Sequence, residues 1–177
     1  MAKTKPALFV LPFCSVIYKE KIHVENSISF LEQKFSKILL KYGPIEFTKY
    51  TSYYEKEMGE ILFKEYFFFN KLISAENFHL FKNKTNDYEN SVSNDNQKGR
   101  IVNLDPGYLT QAKFVLFTVK NRAHRIYIGD GIYGEVQLEY RKNSFTSLHY
   151  SHSDYSDKDF IEFVNKARTV YRQKLKN

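Results

Sequence analysis

The sequence predicts an α+β fold: a single-domain sandwich, spanning 1–177, of a mixed, mostly antiparallel sheet with about four helices. Three observations lead to this class. The 177 residues, 42% of them hydrophobic, are enough for one core. Short apolar runs typical of strands neither alternate strictly with helical patterns nor separate from them. An Asp-Gly pair between two such runs predicts a hairpin, a connection that joins antiparallel strands.

The first half of the chain predicts strand, helix, strand. Residues 7–14 form a continuous apolar run, which favours a buried strand. Asn26 or Ser27 can cap a helix whose apolar residues recur at three- and four-residue spacing until the Gly-Pro pair at 43–44. Residues 45–50 predict the second strand. The aromatic stretch 61–73 favours a further strand, and a short helix over about 74–81 follows.

The second half begins with a polar segment and ends with a helix. Residues 83–99 are rich in Asn, Asp and Ser and predict a loop or a mobile flap. Residues 101–104 predict a short strand, 105–107 a turn of Asp-Pro-Gly, and 109–120 a helix. Residues 125–128 and 133–140 predict a hairpin around 129–131, with a third strand near 145–148. The last helix begins at Ser156, whose relation to Asp159 resembles a capping box.

Composition narrows the functional classes. Cys14 is the only cysteine, which excludes an intramolecular disulfide and a zinc site built on paired cysteines. No stretch approaches the ~20 apolar residues of a membrane-spanning helix, so we expect a cytoplasmic protein without a membrane partner. The net charge of +7 suits an anionic partner. The nearest approach to a basic cluster lies at the C-terminus. A solvated helix face is the favoured explanation and a nucleic-acid footprint is the alternative for these residues: Lys166, Arg168, Arg172, Lys174 and Lys176.

Three polar segments resemble the signatures of a bacterial family, domain of unknown function 4416. They read YYEKEMG at 53–59, NLDPGYL at 103–109 and HRIYIGDGIY at 124–133, and the resemblance runs from about residue 8 to 171. The family implies no established activity, although some relatives bear the label GTP-binding protein. A P-loop requires Gly-Lys before Ser or Thr, and no Gly-Lys pair occurs in this chain. The sequence therefore excludes a P-loop GTPase and leaves other modes of nucleotide binding open.

The first candidate site follows the predicted strand at 45–50. Glu55 and Glu57 would share a face in an extended segment, where two carboxylates can bind a divalent cation or divide acid and base roles. Tyr54 beside them is a candidate ligand contact. The alternative is a solvated acidic turn.

The second candidate site surrounds the predicted Asp-Pro-Gly turn. Asp105 could hold a metal, act as a base or accept hydrogen bonds from a ribose, and Asn103 and Tyr108 flank it as ligand contacts. Lys113, placed one turn into the predicted helix, could contact a phosphate. The alternative is that Asp105 only starts the turn by bonding to the backbone.

The third candidate site is the predicted hairpin. His124 could move protons and Arg125 could bind phosphate, with Asp130 and Tyr133 as further ligand contacts and Glu135 able to approach Arg125 across the hairpin. The alternative is a structural residue and an ordinary turn. His149 and His152, with Asp154 close by, suggest metal ligands only superficially and are expected in a surface loop.

Together these segments predict binding of, or action on, a nucleotide-like or other phosphorylated small molecule, with Mg²⁺ as the expected cofactor. Glu55, Glu57 and Asp105 would hold the metal, and Asp105, His124 and Glu55 would be the catalytic groups. The competing hypothesis is a non-catalytic RNA- or ribosome-associated module that uses the basic last helix and exposed tyrosines. A scaffold that binds another protein is a third alternative.

Overall fold

Nine strands form one sheet in which every pairing is antiparallel, in the part of the chain that the computed structural model describes, residues 3–93 and 99–176. The order is β2-β3-β1-β5-β6-β8-β7, with β4 beside β1 and β9 beside β8. The strands are β1 Phe9–Tyr18, β2 Ile38–Glu46, β3 Phe63–Phe69, β4 Ile73–Ser74, β5 Val102–Leu109, β6 Lys113–Thr118, β7 Ile126–Gly129, β8 Ile132–Arg141 and β9 Ser144–Ser147.

Helices cover both faces of this sheet. They are α1 Lys21–Lys34, α2 Glu55–Met58, α3 Leu80–Val92 and α4 Lys158–Lys174. Residues of α1 and α3 pack with one face and residues of α4 with the other. Along β1, Val10 and Cys14 belong to the first core, whereas Leu11 and Phe13 belong to the second. A strand buried on both faces is apolar throughout, which explains the continuous run. The α+β prediction is confirmed.

Aromatic packing dominates the core under α4. Phe160 lies 4.8 Å from Tyr66 and 4.9 Å from Tyr155 between ring centroids, and Phe13 meets Phe114 edge-on at 4.7 Å. The cap of this helix lies one residue later than the predicted Ser156, and α4 itself begins at Lys158. Its cap is Asp157, whose carboxylate accepts a hydrogen bond from the N–H of Asp159.

The predicted element boundaries before residue 100 need three corrections. The helix predicted over 26–42 is α1, which begins at Lys21, before the predicted cap at Asn26 or Ser27, and ends at Lys34. The strand predicted over 45–50 is β2, which starts at Ile38 and holds the Gly43–Pro44 pair in a register shift. Proline fits there because β2 is an edge strand. The helix predicted over 74–81 is mostly absent, since α3 starts at Leu80.

The polar segment 83–99 is mainly helix rather than a loop or flap. Residues up to Val92 belong to α3, and 94–98 lie outside the described residues. The buried face of this helix carries Lys82, Thr85 and Glu89. Because these inward-facing residues are polar, the segment shows no hydrophobic periodicity in the sequence.

Two further predictions fail between 105 and 120. Asp105, Pro106 and Gly107 continue β5 instead of forming a turn, and 109–120 contains β6 instead of a helix. The hairpin of β7 and β8 and the strand β9 are confirmed.

The two central strands β5 and β6 separate at one end of the sheet. They pair over only three residues each, from Gly107–Leu116 to Leu109–Phe114. Before Gly107, β5 is paired with β1 alone. Gly107 allows the close approach at the point of separation, because a Cβ there would overlap the carbonyl oxygen of Val115. The diverging strands leave an opening in the middle of the sheet.

Candidate functional site

A cleft of about 320 Å³ lies where β5 and β6 diverge. Its walls come from both strands, from the ends of β1 and β3, from α3, from the segment before α2 and from the loop after β9. Basic side chains outnumber acidic ones along its walls. The six basic residues are Lys64, Lys82, Arg100, Lys120, Arg122 and Arg125, and the three acidic residues are Asp105, Glu135 and Asp154.

Lys82 reaches the floor of the cleft from α3. Its ammonium donates to the carbonyl of Leu104 at 2.6 Å and lies 3.4 Å from Asp105 and 3.6 Å from Glu89. Burial alone would lower the pKa of Lys82, but the two carboxylates outweigh it and raise that pKa. Burial would raise the pKa of Asp105, but Lys82 and Lys64 hold it below its ordinary value. The floor therefore contains a charged pair.

Lys64 forms a second buried ion pair beside the first. Its ammonium lies 2.7 Å from Asp154, and the side chains of the two are 4% and 2% exposed. Tyr66 donates to the same carboxylate at 2.8 Å, and the ring centroids of Tyr155 and Phe47 lie 4.5 and 4.7 Å from the ammonium. This aromatic surrounding compensates part of the lost hydration of Lys64.

Arg100 connects α2 and the segment before it to the floor of the cleft. Its guanidinium makes two hydrogen bonds to Glu57, at 2.8 and 2.9 Å, and a third to Asn103 Oδ1 at 2.6 Å. Asn103 in turn donates to Asp105 at 2.7 Å. The hydrogen bonds from Arg100 lower the pKa of Glu57. Arg100 also lies 5.6 Å from the ring centroid of Tyr54, so it positions the segment that carries this tyrosine.

The buried carboxylate of Glu135 holds together the part of the cleft wall formed by β8 and the segment before β7. Glu135 accepts two hydrogen bonds from Arg125, at 2.8 and 3.1 Å, and His124 Nε2 lies 2.9 Å away. His152 Nε2 lies 3.7 Å from its other oxygen. Burial alone would raise the pKa of Glu135, but His152 and Arg125 lower it to about 2. The predicted approach of Glu135 to Arg125 is confirmed.

Two basic residues follow β6 at the rim of the cleft. Lys120 donates to the hydroxyl of Tyr53 at 2.9 Å and lies 4.1 Å from that ring's centroid, which lowers the pKa of Tyr53. Arg122 is exposed. Neither Lys120 nor Arg122 forms a salt bridge with a carboxylate among residues 3–93 and 99–176, in contrast to the four basic residues deeper in the cleft.

The structure brings together four of the predicted site residues. Tyr54, Asn103, Asp105 and Arg125 all line the cleft, and they come from the three separate sequence segments. The remaining predicted residues lie outside its walls: Glu55, Glu57, Tyr108, Lys113, His124, Asp130 and Tyr133.

Three of the predicted residues outside the cleft have other surroundings in the structure. Tyr108 packs in the core against Phe78 and Phe117. Asp130 is at the hairpin turn, where its carboxylate lies 2.9 Å from His79. Lys113 is exposed at the opposite end of β6, and no helix carries it.

Three further predicted residues outside the cleft walls are His124, Tyr133 and Glu55. His124 stacks on Tyr150 at 4.4 Å between ring centroids, and its Nε2 lies 2.9 Å from Glu135, a residue of the cleft wall. Tyr133 is half-buried and meets Tyr127 edge-on at 5.4 Å. Glu55 opens α2.

The carboxylates expected to hold a metal are not gathered at one point. Glu57 is engaged by Arg100, and Asp105 by Lys82 and Asn103. Within the described ranges, no group of three His, Cys, Asp or Glu side chains is arranged to hold a metal ion.

Sequence reasoning missed five of the six basic residues in the cleft and underrated His152. Lys64 carried a signal, because it interrupts an otherwise aromatic and apolar strand together with Glu65. The sequence around Lys82 and Arg100 contains no such signal, since both residues lie beside a segment whose composition suggests a loop. His152 is in a surface loop as predicted, with 53% of its side chain exposed, yet it also lines the cleft.

The fold and the cleft define an α+β protein whose antiparallel sheet is split by a basic, partly aromatic cleft. The chain belongs to the family described as Domain of unknown function (DUF4416), which matches residues 9–171. This span contains all three segments that suggested the resemblance, which is thereby confirmed. No match was found among curated proteins or among solved structures. Over the described ranges, none of the helices has the length and apolar character needed to cross a membrane.

Proposed function

We propose that this chain binds a phosphorylated small molecule, such as a nucleotide, in the cleft between β5 and β6. The observation that carries the proposal is the excess of positive charge on the cleft walls, six basic residues against three acidic ones. Asp154, Asp105 and Glu135 offset Lys64, Lys82 and Arg125, respectively. Arg100 is offset by Glu57, which lies outside the walls. The uncompensated charge therefore lies at Lys120 and Arg122, where a phosphate would find donors.

Aromatic rings beside these two cations support a ligand that is more than a bare phosphate. Tyr53 is 61% exposed although it meets Tyr54 edge-on at 4.9 Å. An exposed ring next to phosphate-binding cations suits a flat organic group, which can stack on it. A divalent cation would then enter with the phosphates. Of the three groups predicted to be catalytic, only Asp105 lines the cleft, so the proposal is one of binding.

The proposal is tested by a thermal-shift screen against nucleotides, sugar phosphates and inorganic pyrophosphate, with and without Mg²⁺. A ligand at 100 times its Kd adds about 2.7 kcal/mol to the free energy of unfolding, which moves the Tm by several degrees. The double variant Lys120→Gln/Arg122→Gln should lose at least about tenfold in affinity, because it removes two phosphate donors.

Lys113→Gln is the matched control for that variant. It removes one positive charge from the same strand region, but at the end away from the cleft. Its affinity should equal that of the unaltered chain. A screen without any shift, or equal losses in the control and the double variant, would refute binding in this cleft.

The alternative of RNA binding through α4 has weaker support. Arg168 lies 3.4 Å from the ring centroid of Tyr140 and donates to the carbonyl of Gln111, and Lys174 donates to Asn70. Two basic residues of this helix thus have partners within the chain. RNA binding would show affinity that falls steeply with salt and that is insensitive to Lys120→Gln/Arg122→Gln.

A further inference from the structure

His152 is the histidine on the walls of the cleft. It lies in the loop between β9 and α4, with 53% of its side chain exposed, and its Nε2 is 3.7 Å from Glu135 Oε1. Its ring meets Tyr155 edge-on at 6.0 Å between centroids. The imidazole therefore has one side against a buried carboxylate and another open to the cleft.

The backbone of this loop is fixed on β8. Gln137, a fully buried residue, accepts the N–H of His152 at 2.9 Å through its side-chain oxygen. The backbone carbonyl of Gln137 accepts the hydroxyl of Ser151 at 2.5 Å, and that hydroxyl accepts the N–H of Leu148. These bonds hold His152 at one position on the wall, as a ligand-binding side chain requires.

Two charged groups lie beside His152, a carboxylate and the guanidinium that pairs with it. Glu135 carries one negative charge, which Arg125 offsets through two hydrogen bonds. Protonation of His152 would add a positive charge to the wall of the cleft. The ionisable groups that face His152 or its carboxylate partner are Glu135 on β8, His124 and Arg125 before β7, Asp105 on β5, Lys64 on β3, and Asp154 and Tyr155 in its own loop.

We propose that His152 is an anion-binding residue of the cleft, whose protonated imidazole donates a hydrogen bond to the ligand and makes binding tighter as the pH falls. This inference rests on the proposed function, since it assigns one more contact to the same anionic ligand. It adds a pH dependence, because an imidazole ordinarily changes its charge near neutral pH, whereas lysine and arginine side chains do not.

The test measures the Kd of inorganic sulfate and of pyrophosphate by calorimetry at about pH 6 and about pH 8, between which a histidine loses its charge. Sulfate keeps its charge over that range, so its pH dependence reports the protein. The unaltered chain should bind sulfate about tenfold more tightly at the lower pH, the low end of the effect of a hydrogen bond to a charged group. In His152→Gln this difference should vanish.

Two further variants make the test specific. His152→Lys, which is cationic at both pH values, should bind tightly at both. His149→Gln changes a histidine of the same loop that is not on the cleft walls, and it should keep the tenfold dependence.

The outcomes separate the two proposals. Binding whose pH dependence survives in His152→Gln, or disappears only in His124→Gln, overturns the role of His152 and leaves the binding proposal standing. Absence of binding by either anion at both pH values overturns both.

Discussion

Replacing Glu135 by Gln should destabilise the chain strongly, and in a pH-dependent way. The contacts of His152 and Arg125 outweigh burial and lower the pKa of Glu135 from 4.5 to about 2. Each pKa unit corresponds to about 1.4 kcal/mol, so this lowering contributes about 3 kcal/mol to the free energy of unfolding at neutral pH. Glu135→Gln also leaves the guanidinium of Arg125, whose side chain is 8% exposed, without a carboxylate.

The sign of the pH dependence follows from the direction of the shift. A carboxylate whose pKa is lower in the folded state stabilises the fold above its unfolded value of 4.5, and this contribution is lost as the pH falls through about 2. The difference between the unaltered chain and Glu135→Gln should therefore be about 3 kcal/mol at neutral pH and shrink steadily below pH 4.5.

Urea denaturation followed by far-ultraviolet circular dichroism measures this difference. Glu139→Gln is the matched control on the same strand, because Glu139 pairs with an Arg141 side chain that is 70% exposed. Such a surface pair contributes less than about 1 kcal/mol. A loss for Glu135→Gln as small as that of the control, or one that is constant with pH, would refute the assignment of Glu135 as a buried, ionised anchor.

Three other substitutions probe the core and the floor of the cleft by the same denaturation assay. Gly107→Ala should cost about 1–3 kcal/mol, since its methyl group would overlap the carbonyl of Val115, and an unchanged midpoint would show that the strands can move apart. Phe160→Ala should cost about 3–5 kcal/mol because the ring is fully buried, and a loss under 1 kcal/mol would contradict that packing. Asp105→Asn should cost about 1–3 kcal/mol, because Lys82 loses one of its two carboxylates, whereas a solvated turn residue would leave stability unchanged.

Patterns of apolar residues predicted the elements that have one ordinary buried face. The face of α4 with Phe160, Val164 and Ala167 is buried as its spacing indicated. The hairpin of β7 and β8 turns at Asp130-Gly131, where both residues have positive φ, the backbone conformation that favours Asp-Gly. In these elements local chemistry and tertiary packing agree.

The errors fall where packing overrides a local signal. Asp-Pro-Gly at 105–107 is a common turn sequence, yet it lies inside β5, because β5 has no partner on the β6 side until Gly107. Proline is tolerated where one side of a strand is unpaired. The apolar spacing over 109–120 suggested a helix, but Phe114 and Val115 enter opposite cores, as in a strand covered on both faces.

The cleft shows the same division between sequence and structure. The three family segments identified Tyr54, Asn103, Asp105 and Arg125, since polar residues grouped at predicted strand ends are visible in the sequence. Nothing in the sequence indicated that Lys82 lies in the cleft. A lysine is buried only where other parts of the chain supply its partners, and those contacts are not visible in the sequence.

By itself, the sequence determined the family, the fold class, the aromatic core and the excess of positive charge, since composition and short-range periodicity carry these properties. Only the tertiary structure decided which charges meet. It placed Lys64 on Asp154, Arg100 on Glu57 and Arg125 on Glu135, and left Lys120 and Arg122 at the rim of the cleft. Ion pairing depends on side chains within a few ångströms of one another, and such distances between remote parts of the chain are set by the packing of the sheet.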